Sequence, residues 1–357
     1  MKYFILGLVL TLMMIGCLAE KEELPEIEDH SLSVRAADLS FLPLIRASGI
    51  ETKNRQSQVE DMLLTLKNAG MNTVRLRIWH HPEDGTSGLE QVKLFASEIH
   101  QAGLDLWLCV HYSDTWADPG NQSLPTLWRN ISIEALKDSV RNYTSRLVRT
   151  LNPAIIQIGN EINGGFLWPL GRYPEQRNVF FSLLKEGVKA VREYNANTSI
   201  MLHFAGVEQA TVFFNDVSEM DYDMMGISYY PWWHGKDLNR LESTLDLLKR
   251  LQNKKVVIAE TAYPFTLDWN DYTHNVVGLQ NQLIYPEFPS SPTGQHLFME
   301  RIRDICSRSK SEGFAYWGGE WVAFDGAQSE QGSSWENLAL WDFEFTALPA
   351  IEVFRKN

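Results

Sequence analysis

Cysteine is scarce: Cys17, Cys109 and Cys306 are the only three in 357 residues, and no pair has metal-ligand spacing. A cysteine-held metal site is thereby excluded. Cys109, inside the apolar run Leu106 to Val110, and Cys306, in a helical stretch, read as buried free thiols. Clusters of lysine and arginine are also missing, and the formal net charge is −13. Neutralising phosphates needs the opposite balance, so a nucleic-acid partner is excluded and a neutral substrate fits better. No GxGxxG or Walker loop follows any apolar run, which removes the usual nucleotide signatures. The N-terminal apolar run, Phe4 to Ile15, has twelve residues and is too short for a permanent membrane span.

That run follows Lys2 and ends Met13-Met14-Ile15-Gly16-Cys17, so residues 1–17 read as a secretory signal. The small residue before Cys17 resembles a bacterial lipoprotein box, which implies lipid attachment at Cys17. An ordinary signal peptide with a chance cysteine is the alternative. Residues 18–30, with Glu20-Lys21-Glu22-Glu23 and Glu26-Ile27-Glu28-Asp29, lack periodicity and read as a flexible acidic tether. Acidity so close to Cys17 resembles the surface-export signals of some Gram-negative lipoproteins. The expectation is an exported protein, anchored at the outer membrane or cell surface of a bacterium and touching the membrane only through that lipid. The folded domain is expected over 31–357.

A hydrophobic fraction of 44% against 22% charged is enough for a sizeable core. Twelve tryptophans are unusual; most sit beside Gly, Asp or His, as platforms for flat apolar faces would, with about a third left to plug the core. Strand patterns occur at Val34–Leu39, Thr73–Ile78, Asp105–His111, Ile155–Asn160, Ser199–His203, Met224–Tyr229, Val256–Glu260 and Gly313–Trp317. Amphipathic helical patterns alternate with them, clearest at Val59–Asn68, Glu90–Ala102, Ile133–Leu151, Gln176–Asn195, Leu238–Leu251 and Gln295–Ser309. Eight such alternations without a composition break specify a single α/β domain, a (β/α)8 TIM barrel. Strand-to-helix connections are long and rich in Trp, His and Asp, and in this fold they build the active site.

Two of these strands end in a glutamate. Ile155-Ile156-Gln157-Ile158-Gly159-Asn160-Glu161 is a β-branched run closed by a carboxylate, and Val256-Val257-Ile258-Ala259-Glu260 repeats the pattern. A carboxylate at the end of a doubly buried strand is costly without a partner or a task. One alone would read as a helix cap or an ion-pair member. Two, set among Trp, Tyr and His, meet the minimum for paired-carboxylate chemistry on a sugar.

The strand ends together, Arg75 and Arg77, His111, Asn160-Glu161, Tyr229-Tyr230, Glu260 and Trp317, resemble the retaining (β/α)8 glycosidases with catalytic glutamates on strands four and seven. Within that clan the chain is most similar to glycoside hydrolase family 53, the endo-β-1,4-galactanases. The stretches carrying this are Arg75-Leu76-Arg77-Ile78-Trp79, His111-Tyr112-Ser113-Asp114-Thr115-Trp116-Ala117-Asp118-Pro119-Gly120, Gly159-Asn160-Glu161, Ser228-Tyr229-Tyr230-Pro231, Ala259-Glu260-Thr261 and Ser334-Trp335-Glu336-Asn337. Ala36 stands where the pattern has Gly, and Trp317-Gly318-Gly319-Glu320-Trp321 departs from the Trp-Glu-Pro form. The resemblance implies hydrolysis of β-1,4-galactan with no cofactor in the chemistry, Glu161 as acid/base and Glu260 as nucleophile. It further implies that Asn160 holds the sugar 2-hydroxyl. Arg75 and one of Tyr229 or Tyr230 would hold Glu260, with Arg77 as a backup on the same strand face. Trp317 and Trp321, with His111, Asp114, Trp116 and Asp118, would line the cleft. Another clan glycosidase, a β-galactosidase or β-mannanase, or a non-catalytic glycan-binding lipoprotein, are the competing readings. Bacterial relatives often hold calcium after strand seven. Here that loop offers Asp268, Asn270, Asp271 and Asn275 as ligands for a structural Ca2+, with a solvated Asx-rich loop as the alternative.

Overall fold

The computed structural model describes residues 31–356; the signal, the tether and Cys17 lie outside them. Eight parallel strands, β1 (Val34–Asp38), β2 (Thr73–Ile78), β3 (Asp105–Val110), β4 (Ile155–Ile158), β5 (Ser199–Ala205), β6 (Met224–Ser228), β7 (Lys255–Thr261) and β8 (Gly313–Tyr316), form a closed barrel in sequence order. Closure is made by β1 on β8, with Val34 opposite Gly313 and Ala37 opposite Tyr316. A side chain at Gly313 would drive its Cβ to 1.8 Å from the Val34 carbonyl oxygen, so only glycine permits that seam. Every expected strand exists, with ends differing by up to two residues. Two short helices, Leu42–Ala47 and Ala210–Asp216, fall where no periodicity announced them, because six or seven residues are too few to show a stripe.

The longer helices, such as Ile133–Leu151 and Arg177–Tyr194, lay their apolar stripes on the outer face of the barrel. Inside, Val34, Ala36, Trp107, Ile155, Met201, Met224, Val257, Ala259 and Ala315 pack as a separate plug. This plug fills the lower barrel, so the polar residues above it are lifted toward the carboxyl ends of the strands. Cys109 and Cys306 are both buried and free. Among the described residues no helix is long and apolar enough to cross a membrane.

Candidate active site

The side-chain period of a strand is two, so residues in phase with the plug also point inward. From Trp107 the phase runs to Cys109 and His111, from Ile155 to Gln157, from Met201 to His203, and from Met224 to Ser228 and Tyr230. Arg75 and Arg77 share the inner face of β2. Glu260 breaks the rule: Val257 and Ala259 already face inward, so alternation would turn it out. A register shift intervenes, since Ile227 pairs with Ile258 but Ser228 pairs with Glu260. The bulge absorbs one residue and re-aims Glu260 into the barrel. On β4 the chain leaves the strand through left-handed conformations at Gly159 (φ 79°) and Glu161 (φ 46°). A Cβ on Gly159 would sit 2.4 Å from the Ile162 Cγ2, so glycine is required there. A left-handed glutamate is a strained arrangement of the kind found at working sites. Gln122 Nε2 clasps this turn, donating to the carbonyl oxygens of Asn160 (2.7 Å) and Glu161 (3.3 Å).

Arg75 is the hub. Its guanidinium donates to Asp38 Oδ2 (2.6 Å), Glu260 Oε1 (2.7 Å) and Asn160 Oδ1 (3.0 Å), all buried. Tyr230 Oη donates to the other oxygen, Glu260 Oε2, at 3.1 Å. Tyr229 does not take part. It is out of phase and donates to the Gly235 carbonyl at 2.8 Å. Strand phase therefore selects Tyr230. Arg77 lines the cleft but makes no bond to Glu260. Its guanidinium lies between the rings of Phe41 (4.0 Å) and Trp116 (4.4 Å), and its Nε donates to Ser87 Oγ. Phe41 stacks in turn on Trp321 at 3.9 Å. The backup role is replaced by a cation–π brace of the aromatic wall.

Glu161 Oε1 accepts from Ser228 Oγ at 2.5 Å. Burial first, and then the nearby Glu260, push its carboxyl up to about 8. Burial raises Glu260 as well, but there Arg75 and Tyr230 pull the other way. The shared environment thus places the proton of the pair on Glu161 and leaves Glu260 the anion. His111 Nδ1 accepts from the Ala117 backbone N–H (3.0 Å) and Trp79 Nε1 (3.3 Å), which leaves its Nε2–H as the free donor. Burial and two arginines hold it far below the ordinary histidine range, hence neutral.

These groups open into a cleft of about 520 Å³ lined by Arg75, Arg77, His111, Trp116, Asp118, Asn160, Glu161, Tyr230, Glu260, Trp317 and Trp321. Trp233 and His234, from the aromatic loop after β6, and Trp335 join them. Five of the twelve tryptophans thus face the cleft, while Trp107, Trp128 and Trp341 are core residues. Asp114 is not in the wall. Its two carboxylate oxygens accept from the backbone N–H groups of His81 (3.0 Å) and Thr126 (2.7 Å), so it ties two loops together. Gln157, His203 and Ser228 were unforeseen as site members. Their signal was available in the two-residue phase from the plug, once the inward face was known.

The loop after β7 does not assemble a calcium site from the four expected residues. Asp268 is exposed and accepts from Thr266 Oγ1 (3.1 Å), away from the buried pair Asp271 and Asn275. The two oxygens of Asp271 accept from the backbone N–H groups of Thr273 (2.6 Å) and Ser333 (3.2 Å). Asn270 gives its N–H to Glu336 Oε1 at 2.6 Å, and Asn275 its side-chain amide to the same oxygen at 3.4 Å. Carboxylates spent on N–H donors are poor calcium ligands. Among the described residues no group of three or more His, Cys, Asp or Glu could hold a metal. The four expected residues thus do not act as one set, while Asn275 Oδ1 and Glu336 Oε2 are buried without a hydrogen-bond partner.

Comparison with known proteins agrees with this geometry. The sequence matches the family described as Glycosyl hydrolase family 53 across residues 34–354. An arabinogalactan endo-β-1,4-galactanase of Cellvibrio japonicus is 32% identical, with 93% of each chain covered. Its counterpart from Aspergillus niger is 32% identical over 84% of this chain and 88% of its own. The solved family 53 catalytic domain of Ignisphaera aggregans superposes with a TM-score of 0.83 at 34% identity, covering 90% of this chain and 95% of that one. A barrel whose fourth and seventh strands each deliver a buried glutamate to an aromatic cleft, matched over nearly all its length, belongs to glycosyl hydrolase family 53.

Proposed function

We propose that this protein is a retaining endo-β-1,4-galactanase that cuts the galactan chains of pectic (arabino)galactan. The observation that carries the reading is the split environment of the two glutamates: one held by a guanidinium and a phenol, the other by a single hydroxyl. Its relatives named as galactanases support the substrate.

In the first step Glu260 Oε attacks the anomeric carbon while Glu161 gives its proton to the departing glycosidic oxygen. The C1–O bond breaks as the ester to Glu260 forms. Arg75 and Tyr230 hold Glu260 ionised and fixed in aim. Once Glu260 is esterified its charge is gone, so Glu161 loses that repulsion and ionises more readily, as its second task requires. It then takes a proton from a water whose oxygen attacks C1, and Glu260 is released. Asn160 Nδ2 donates to the Ala117 carbonyl at 2.8 Å and keeps a second hydrogen for the sugar 2-hydroxyl. Its Oδ1 is held by Arg75, so this contact and the nucleophile share one anchor. No cofactor enters the chemistry.

Proton NMR of the anomeric region in the first minutes of reaction on linear β-1,4-galactan tests both halves of the reading. The β-anomer should appear first; the α-anomer first would overturn double displacement. No cleavage of galactan, with turnover of mannan or aryl galactosides instead, would move the enzyme elsewhere in the clan. Binding of galactan without any cleavage would leave a glycan-binding lipoprotein.

Export and lipid attachment at Cys17 belong to the same proposal, supported by the short apolar run and the small residue before the cysteine. Radiolabelled palmitate should enter the wild-type protein and not Cys17→Ser. Label in both would remove the anchor.

A further inference from the structure

Ser228 and His203 join the acid/base glutamate to the floor of the site through a chain of hydrogen bonds. Trp107 Nε1 (3.2 Å) and Arg75 Nε and Nη2 (3.4 Å each) donate to Gln157 Oε1, and neither group can accept. This fixes the Gln157 amide, so its Nε2 is the atom that lies 2.8 Å from His203 Nδ1. The Glu161 backbone N–H also points at His203 Nδ1, at 3.3 Å, and a backbone amide can only donate. Nδ1 faces these two donors and one acceptor, Asn160 Oδ1 at 3.2 Å, which already accepts from Arg75 Nη2; the Glu161 N–H has no other role than donor, so Nδ1 is taken as the acceptor and the ring hydrogen sits on Nε2. His203 Nε2 lies 2.9 Å from Ser228 Oγ, which must accept. The one hydroxyl hydrogen of Ser228 is then left for Glu161 Oε1 at 2.5 Å.

We propose that Gln157, His203 and Ser228 form a one-way hydrogen-bond relay that keeps the catalytic proton off Glu161 Oε1 and on the cleft-facing Oε2. A proton on Oε1 would meet the Ser228 hydrogen, and that hydrogen has nowhere to turn because His203 Nε2–H is itself a donor. Oε2 receives nothing from the described residues and faces the cleft. Both reaction steps use that oxygen: it gives its proton to the leaving glycosidic oxygen, and later takes one from the attacking water. His203 and Ser228 are positioning residues, and the inference rests on the assignment of Glu161 as acid/base.

The groups facing Glu161 are Arg75 from β2, Asp118 after β3, His203 from β5, Ser228 and Tyr230 from β6, and Glu260 from β7. His203 is faced by Arg75, His111 and His234; burial, then those charges, keep it neutral, so it does not titrate in the working range. The Ser228 bond favours the ionised carboxylate and opposes the rise that burial imposes. Losing it raises the Glu161 pKa further, so the alkaline limb of kcat/KM moves to higher pH.

The test compares linear β-1,4-galactan with a 2,4-dinitrophenyl β-galactobioside, whose leaving group needs no proton. Ser228→Ala should shift the alkaline limb on galactan upward by about one pH unit, the worth of one hydrogen bond to a charged group. It should lower kcat on galactan roughly tenfold or more with KM nearly unchanged, and the aryl substrate less than about threefold. Ser228→Thr, which keeps the hydroxyl, should restore the wild-type limb. His203→Gln, which keeps a donor toward Ser228, should stay closer to wild type than His203→Ala, which shifts the limb in the same direction as Ser228→Ala. An unmoved limb in Ser228→Ala, or equal loss on the two substrates in a variant that melts like wild type, overturns the relay. Glu161→Ala separates the underlying assignment. If it fails to spare the aryl substrate's first step, and azide does not yield a β-galactosyl azide, Glu161 is not the acid/base and the relay loses its purpose.

Discussion

Replacing Arg75 by Met keeps most of the volume in the barrel and removes the charge, which isolates the electrostatic part of the hub. Arg75 is 1% exposed and its guanidinium is bonded to Asp38 and Glu260. Breaking a buried pair by removing one partner costs about 3–5 kcal/mol, because a charge is left without compensation. Glu260 can escape by binding a proton. From an ordinary carboxyl value of 4.5, protonation at pH 7 costs about 3.4 kcal/mol, at 1.36 kcal/mol per unit, and that sets the upper end for this group. An unfolding entropy near 2.1 cal/mol/K per residue gives about 0.7 kcal/mol per degree for a domain of this size, so Tm at pH 7 should fall by about 4–5 °C. The sign with pH follows. Removing Arg75 raises the folded-state pKa of Glu260 further above its unfolded value, so the added destabilisation is present at neutral pH and disappears as pH falls toward 4.5. At pH 5 the protonation cost is only about 0.7 kcal/mol, and the Tm gap should shrink to about 1 °C. A protonated Glu260 is no nucleophile, so kcat at pH 7 should drop by roughly a thousandfold or more. Calorimetric melts of wild type and Arg75→Met at the two pH values check this. A gap equal at pH 5 and pH 7 would mean the loss is packing, not charge, and would refute the reasoning.

Tyr230→Phe should reduce kcat by about ten- to a hundredfold by removing the Glu260 donor, whereas Tyr229→Phe should leave kcat alone and cost about 1 kcal/mol of stability for its lost bond to Gly235. Steady-state kinetics beside melts will show which phenol matters; equal effects would put the strand phase in error. Glu260→Ala should abolish hydrolysis while galacto-oligosaccharide binding persists across the aromatic cleft, and added azide should give the inverted α-galactosyl azide. More than about a hundredth of wild-type turnover in that variant would unseat the nucleophile. Chelator should leave Tm unchanged, because Asp271 and Glu336 hold the loop by accepting backbone N–H groups; a drop restored by Ca2+ would reveal a bound ion.

The eight strands were legible because doubly buried parallel strands must be apolar and β-branched throughout, and that composition needs no tertiary context to be seen. The glutamates stood out for the complementary reason, a charge where only apolar residues belong, and the aromatic loops followed from the polarity of the fold. The side of a strand on which a residue lies was another matter. Tyr229 and Tyr230 are equal in the sequence, and only the phase set by Met224 and Ser228 turns Tyr230 inward. Plain alternation would have turned Glu260 outward; the register shift against β6 reverses it, and a bulge depends on the partner strand. Asp114 sits in the most distinctive motif of the chain yet serves backbone N–H groups 33 and 12 residues away in sequence. The partners of Arg77 and Asp268 were hidden for the same reason: Phe41 and Trp116 for one and Thr266 for the other are chosen by loop packing. Ser228 and His203, bland in the sequence, acquired a role because barrel closure brings β4, β5 and β6 side by side. Composition along one strand is a local property and survives in the sequence; facing, pairing and hydrogen-bond direction arise between strands, and only the closed barrel decides them.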